Sequence, residues 1–285
     1  MYSAQELVSQ IEALTSLPTV YQRIREQLDS PEGAIHEVAR LVSADPALTA
    51  RLLRVVNSAM YGYDGMIDSV NRAVTILGLQ QVHDLVLAMS LESVFRGIRP
   101  EAMDMNRFWR ASVMRGLTAR AIALACQQTA PERIFVIGLL ADLGHLVMYH
   151  GVPRLALEAA SQATASGEAL YAVERRTIGC DFAEVGATLM DHWKLPASFA
   201  GVIGAQTVPR LGGDYAQDAS VVHVANHIVH ADELALSSEE AAAGVDPLVW
   251  ATLDLQPVAI ASIREEAELH LAAYVSLFFP SGRSY

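Results

Sequence analysis

Lysine is almost missing from this chain of 285 residues, since Lys194 is the only one beside 19 arginines. Acidic side chains outnumber basic ones by 32 to 20, which gives a formal net charge of −12 at pH 7. Nucleic-acid affinity comes mainly from counterions that Lys and Arg displace from the phosphates. The charge balance therefore argues against general DNA or RNA binding, although it leaves room for a local arginine patch.

Cysteines and long uncharged segments are also scarce. Cys126 and Cys180 are the only cysteines and lack CxxC spacing, which favours a reducing compartment. The longest apolar stretch, 134–149, is interrupted by Asp142 and His145 and so falls short of the roughly 18 apolar residues of a membrane span. The beginning, MYSAQELVSQ, lacks the basic and apolar regions of a secretory signal. We therefore expect a cytoplasmic protein with no membrane association.

Sustained strand-like alternation is absent, and nearly every segment shows helical spacing. A hydrophobic content of 52% with 18% charged residues excludes a disordered chain. Asp45 and Pro46, for example, predict the N-cap and first position of a helix. The sequence thus predicts an all-α fold. A polar turn near 98–105 predicts an N-terminal helical subdomain, 1–100, and a C-terminal helical subdomain, 101–285.

One acidic residue, Asp142, lies in the apolar segment GLLADLGHLVMYH, residues 138–150, which we predict as part of one buried helix over 132–149. A carboxylate there needs a partner because an unpaired buried charge is costly. His145 lies three residues further on, on the same helix face, and could pair with it. We interpret Asp142 as a structural carboxylate, with a metal ligand as the alternative.

A second conspicuous segment is LLRVVNSAMYG, residues 52–62. Asn57 and Ser58 come late in a predicted helix, where their side chains can bond backbone groups. Gly62 then permits a turn that other residues resist, and the ring of Tyr61 can cover it. A helix end packed on its neighbour is the favoured interpretation, and contact with a ligand is the alternative.

Six segments, in this order, resemble the HDOD family, the output-domain relatives of the HD phosphohydrolases. They are LPTVYQRI (17–24), DPALTARLLRVVNSAMYG (45–62), ILGLQQVHDLVLA (76–88), FWRASV (108–113), GLLADLGHLV (138–147) and DFAEVGATLMDHWKLP (181–196). The resemblance covers about residues 17–235 and includes Asn57, Ser58, Tyr61, Gly62 and Asp142. It implies a helical N-terminal bundle joined to a C-terminal bundle that is similar to an HD phosphohydrolase core.

An active HD core holds one or two divalent ions through a His from an early helix, an adjacent His–Asp pair, further His ligands and a closing Asp. The resemblance puts other residue types at these positions, with Asp142 alone retained. They are Ala111 for the early His, Ala141 for the His of the pair, Phe182, Ala205 and Gln206 for further ligands, and Asn226 for the closing Asp. We therefore expect no HD-type metal site, no cofactor and no catalytic residue.

Three histidines, His223, His227 and His230, fall within about 60° of one another on a helical wheel. His–x3–His is a familiar zinc-binding spacing. However, about 10.5 Å of axial rise separates the first from the last, so one ion cannot bind all three. The pattern favours a packed or solvent-facing histidine face, with an adventitious or a functional metal site as the alternatives.

The resemblance suggests a bacterial signal-transduction module without catalytic activity, which acts by binding a protein partner or a small ligand. Domains of this family often follow receiver or cyclic-dinucleotide modules. Here the recognisable domain nearly fills the chain, so we expect its input to arrive by binding in trans. The alternative enzyme hypothesis is a residual metal-dependent phosphohydrolase that uses Asp142, His145 and the histidines at 223–230.

A third hypothesis is a cyclic-dinucleotide sensor without turnover. Guanidinium groups match phosphate geometry. The arginines that could contact the phosphates are Arg51, Arg54, Arg107 and Arg110.

Overall fold

The computed structural model describes residues 1–11, 17–28, 35–59, 61–63, 65–95, 100–101, 103–128 and 130–280. The regular elements of these residues are all helical, which confirms the predicted all-α class. In chain order they are α1 (Ala4–Ile11), α2 (Thr19–Leu28), α3 (Ile35–Ser43), α4 (Pro46–Val56), α5 (Val70–Leu77), α6 (Leu79–Val94), α7 (Met105–Ala125), α8 (Pro131–Leu140), α9 (Leu143–Gly151), α10 (Pro153–Ser166), α11 (Leu170–Thr177), α12 (Phe182–His192), α13 (Ala197–Ala205), α14 (Ala216–Glu233), α15 (Ser238–Ala243), α16 (Pro247–Leu253) and α17 (Ala259–Phe278).

The helices group into two compact units. The larger unit consists of residues 1–14 and 98–272, and the smaller unit consists of residues 15–97 and 273–285. The last helix, α17, begins in the larger unit and ends in the smaller one. Both units are therefore built from segments that are distant in the sequence.

The predicted subdomains, 1–100 and 101–285, were contiguous, and the observed units are not. α1 belongs to the larger unit, where it packs on α9 and α12. Leu7, Val8 and Ile11 are its buried residues, and together they form one apolar face. Burial of that face explains why the first helix joins the larger unit rather than its neighbours in sequence.

The core of the larger unit is built around α7, α8 and α14. α8 is buried along almost its whole length, from Ile134 to Leu140, in keeping with its uninterrupted apolar sequence. It packs on α7, which in turn packs on α14. This arrangement places the end of α8 close to polar side chains of the neighbouring helices.

Two predicted features differ in the structure. The helix predicted over 132–149 is interrupted, because α8 ends at Leu140 and α9 begins at Leu143, so Asp142 lies in the turn between them. The polar sequence LSSEEAAAGVDP at 236–247 predicts a loop, but the segment contains α15. Its first turn has a capping box, in which the side chains of Ser237 and Glu240 each accept a backbone N–H of the other residue.

Among the described residues, the helical stretch Pro131–Gly151 is long and apolar enough for a membrane span, and 72% of its apolar 18-residue segment is buried inside the structure. Helices α5 and α6 together are also long and apolar enough for a span, but the chain bends by 116° between them. Burial of this kind is typical of core helices. Predictions also fall on residues that the structure does not describe. They are the end of a first helix predicted over 5–15, Met60 in the helical spacing of 45–62, and parts of the boundary at 98–105.

Candidate functional site

Four charged side chains of the larger unit, Arg115, Asp142, His145 and Glu174, meet in what we call the charged cluster. His145 lies between two carboxylates, with Nδ1 2.5 Å from Oδ1 of Asp142 and Nε2 2.9 Å from Oε1 of Glu174. Nη2 of Arg115 lies 3.5 Å from the other oxygen of Asp142. Two cations thus balance two anions, and His145 contacts Asp142 as the sequence spacing indicated.

The charges of this cluster determine its protonation. Burial alone would lower the pKa of His145, but the carboxylates of Asp142 and Glu174 outweigh it and raise that pKa to about 10. Burial would raise the pKa of Asp142, but His145 and Arg115 outweigh it, and the net shift is downward. At neutral pH His145 is therefore an imidazolium that donates from both ring nitrogens.

Phe182, at the start of α12, covers the imidazolium. Its ring is stacked on that of His145, with the centroids 4.2 Å apart and the planes 13° from parallel. Its backbone N–H also donates to Oε2 of Glu174 over 3.1 Å. An aromatic face over a cation is attractive, so the residue at a position where the HD resemblance implies a His ligand here stabilises the charged cluster.

The amide side chains at two other positions of the resemblance form a hydrogen-bonded chain. Nδ2 of Asn226 donates to Oε1 of Gln206 over 2.9 Å, and Nε2 of Gln206 donates to the carbonyl oxygen of Ala141 over 2.8 Å. Gln206 is fully buried. This chain fixes the backbone immediately before Asp142, and its two amides stand at positions where the resemblance implies metal ligands.

The residues of this region do not fit a divalent ion. A divalent ion binds neutral imidazole and free carboxylate oxygens, whereas both ring nitrogens of His145 contact carboxylates and both oxygens of Asp142 contact His145 or Arg115. Ala111 and Ala141 offer no side-chain donor atoms. Among the described residues, no three His, Cys, Asp or Glu side chains are grouped so as to hold a metal ion.

The three histidines of α14 occupy different environments. Nδ1–H of His223 donates to the backbone oxygen of Gln206 over 2.9 Å, and its Nε2 accepts the backbone N–H of Asp246 at 3.5 Å. His227 packs edge-on against His223, with ring centroids 4.7 Å apart, and burial lowers the pKa of His227 to about 4. His230 is exposed. Both ring nitrogens of His223 thus contact backbone groups, closely at Nδ1 and at long range at Nε2.

In the smaller unit, Asn57 closes the loop that follows α4. Its Nδ2 donates to the backbone oxygens of Leu53 and Ile67, and its Oδ1 accepts the N–H of Ile67 over 2.8 Å. Ser58 lies 2.6 Å, Oγ to Oη, from Tyr274. These contacts agree with the favoured interpretation of a packed helix end.

Tyr61 and Gly62 belong to the same loop. The ring of Tyr61 stacks on that of Tyr63, with centroids 6.1 Å apart. Gly62 has φ +55°, a left-handed conformation that costs glycine little. The loop thus depends on the left-handed backbone conformation of Gly62 and on the side-chain hydrogen bonds of Asn57.

We expect Asn57→Ala to destabilise the smaller unit by about 2 kcal/mol, because it removes three hydrogen bonds to backbone groups. The measurement is thermal unfolding followed by far-UV circular dichroism. Asn71→Ala is the matched control, since Asn71 is exposed on α5. Equal loss in both variants would contradict a loop-closing role for Asn57.

The four arginines proposed for phosphate contacts divide between the units. In the smaller unit, Nη2 of Arg51 donates to the backbone oxygen of Phe278, and Nε of Arg54 to that of Ala50. In the larger unit, Arg107 and Arg110 line a cavity of about 510 Å³. The structure therefore brings two of the four together at one cavity.

Comparison with known proteins gives a family and several structural neighbours. A family model for the HDOD domain matches residues 14–209. A protein of Treponema pallidum (strain Nichols), described as uncharacterized, is 24% identical over 225 residues, which cover 78% of this chain and 43% of that protein. The chain thus spans less than half the length of that relative.

Two solved structures match almost the whole chain. One, from Shewanella amazonensis SB2B and provisionally named a phosphohydrolase, has a TM-score of 0.71 at 25% identity and covers 95% of this chain and 96% of its own. An HDOD domain protein of unknown function from Geobacter sulfurreducens has a TM-score of 0.72 at 20% identity, with 97% and 98% covered.

A third neighbour, from Marinobacter aquaeolei VT8, is provisionally named a signal transduction protein. Its TM-score is 0.69 at 21% identity, and the match covers 94% of this chain and 61% of that one. At this identity the likeness shows a shared fold.

Proposed function

The chain belongs to the HDOD domain family, and we propose that it is a non-catalytic signalling module that acts by binding a protein partner. The charged cluster carries this proposal. Where an HD phosphohydrolase would hold its metal, Asp142 is paired with Arg115 and His145. A carboxylate engaged in this way, next in sequence to Ala141 and with Ala111 at the early His position of the resemblance, lacks the partners that would hold a metal-bound water.

The names of the structural neighbours point in two directions. The Marinobacter protein is provisionally named for signal transduction, and the Shewanella protein for phosphohydrolysis. The residues of this chain favour the first. The residual-phosphohydrolase hypothesis needs Asp142 and His145 to share an ion with the histidines of α14, whereas His145 is held as a cation between carboxylates and both nitrogens of His223 are bonded.

We expect the purified protein with Mn²⁺ or Mg²⁺ to hydrolyse neither cyclic di-GMP nor bis(p-nitrophenyl) phosphate above the rate of the metal alone. The assay follows nitrophenolate absorbance and nucleotide products by chromatography. Asp142→Asn serves as the matched variant. Turnover in the wild type that disappears in Asp142→Asn would refute the non-catalytic proposal, because it would place Asp142 in a working site.

Partner binding is tested separately. Proteins captured from a lysate of the source cells are identified, purified and titrated against the chain by calorimetry. Saturable binding of one purified partner supports the proposal, and failure of every captured protein to bind in isolation counts against it.

The cyclic-dinucleotide alternative keeps one observation in its favour, the presence of Arg107 and Arg110 at one cavity. Calorimetric titration with cyclic di-GMP tests it. Flat heats would eliminate this alternative.

A further inference from the structure

The cavity at Arg107 and Arg110 lies within the larger unit, among α7, α14 and the first part of α17. Its volume is about 510 Å³, within the range of pockets that hold small organic ligands. Apolar atoms of Met114, Val229 and Leu271 form part of its wall, together with the methyl group of Ala111. A ligand in this cavity would therefore meet both apolar surface and charged groups.

Each acidic group of the cavity is in an ion pair, and two of the three share one arginine. Glu233 pairs with Nε of Arg107 at 3.3 Å. Asp232 and Glu268 both pair with Arg264, whose Nη1 also donates to a backbone oxygen. Three carboxylates thus contact two arginines directly, and with Arg110 the charged groups of the lining sum to zero.

Arg110 is different. It also lines the cavity, and it makes no hydrogen bond or ion pair with any residue that the structure describes. Its charge reaches Asp232 only through space. Arg107, three residues earlier on the same helix face, uses Nε for Glu233. The guanidinium groups of two neighbouring arginines thus offer donors at one side of a partly apolar cavity.

We propose that this cavity binds a small organic anion, with a phosphate or carboxylate group on Arg110 and Arg107 and an apolar or aromatic body against Met114, Val229 and Leu271. A guanidinium presents paired N–H donors that match both kinds of anion. A bare inorganic ion has no apolar part to contact this wall, so we expect it to bind more weakly than an organic anion. This inference goes beyond the proposed partner binding, which is tested separately by calorimetric titration with purified partners.

The test uses the fluorescence of 8-anilinonaphthalene-1-sulfonate, an aromatic anion, titrated with the full chain. Saturable binding is expected, followed by displacement with GMP if the natural head group is a phosphate, or with octanoate if it is a carboxylate. Inorganic phosphate at the same concentration should leave the dye bound. Displacement by neither GMP nor octanoate, or equal displacement by inorganic phosphate, would overturn the proposal.

Two variants locate the binding. Arg110→Gln should weaken it about tenfold, the loss expected for one charge-assisted hydrogen bond, and Arg154→Gln, at an exposed arginine of α10, is the matched control. Ala111→Phe should abolish binding by filling the cavity. Arg110→Gln, a surface change, keeps the test decisive if the phenylalanine variant fails to fold. Wild-type affinity in Arg110→Gln, or an equal loss in Arg154→Gln, would refute the assignment.

Discussion

His145→Gln is expected to lower the free energy of unfolding of the larger unit by about 3–5 kcal/mol, the usual cost of removing one member of a buried ion pair. The variant would leave Glu174, which is 2% exposed, and Asp142 without the cation that lies between them. Glutamine keeps hydrogen-bonding capacity, so the loss reports mainly the missing charge. The stacking of Phe182 on a cation is lost as well.

Urea denaturation followed by tryptophan fluorescence measures this loss, because all three tryptophans, Trp109, Trp193 and Trp250, belong to the larger unit. His230→Gln, an exposed histidine of α14, is the matched control and should change little. A double-mutant cycle of His145→Gln with Glu174→Gln isolates the interaction energy between these two residues. If the charged cluster is coupled, the double variant loses less than the sum of the single losses.

The stability difference between wild type and His145→Gln should depend on pH, because His145 stabilises the fold only while it is protonated. The pKa of His145 is about 10 in the folded chain against 6.5 ordinarily. Its stabilisation is therefore fully present below pH 6.5 and declines as pH rises towards and through 10. The difference between wild type and His145→Gln should shrink over that interval. A difference that stays constant up to pH 10 would show that packing, rather than charge, explains the loss.

Local patterns were enough to predict much of the fold. Asp45 accepts the N–H groups of Ala47 and Leu48 as the N-cap of α4, as its position before Pro46 predicted. The pairing of His145 with Asp142 also follows from local spacing. Such features depend on residues that are neighbours in sequence, and a single sequence displays them directly.

The rest of the charged cluster depends on which helices meet. Glu174 lies 29 residues after His145, and Arg115 lies 27 residues before Asp142. Nothing in their local sequence marks them as partners, because AVERRT has the composition of an ordinary exposed helix. The interruption between α8 and α9 was missed because the apolar spacing continues across it. Tertiary packing, rather than helix propensity, decides both features.

Under the proposed function, the residues at the HD positions leave Asp142 without a metal ion, and its contacts show which groups balance its charge instead. Removing imidazoles alone would leave Asp142 as an unpaired carboxylate in an apolar region, which is costly. Here Arg115 and His145 supply the positive charge that a metal would otherwise provide. The amide chain from Asn226 through Gln206 then holds the adjoining backbone. Together, these side chains hold Asp142 and the backbone next to it within the larger unit.

Gly144→Ala is expected to destabilise the larger unit by about 3 kcal/mol or more, because α9 and α12 cross at this residue. A Cβ atom at position 144 would lie 1.8 Å from the backbone oxygen of Phe182, so one helix must move. Inserting atoms into a packed contact commonly costs about 1–3 kcal/mol. Here the atom met is backbone, and Phe182 also donates to Glu174 and covers His145.

Gly204→Ala, in the last turn of α13, is the matched control for this prediction. Its new Cβ would lie 3.3 Å from the Cβ of Ala187, which requires only a small adjustment, and alanine favours a helix by about 1 kcal/mol over glycine. Urea midpoints from tryptophan fluorescence should therefore fall sharply for Gly144→Ala and change little for Gly204→Ala. Similar midpoints for the two variants would mean that α9 and α12 tolerate separation. The position of Phe182 over the imidazolium would then not depend on the glycine at 144.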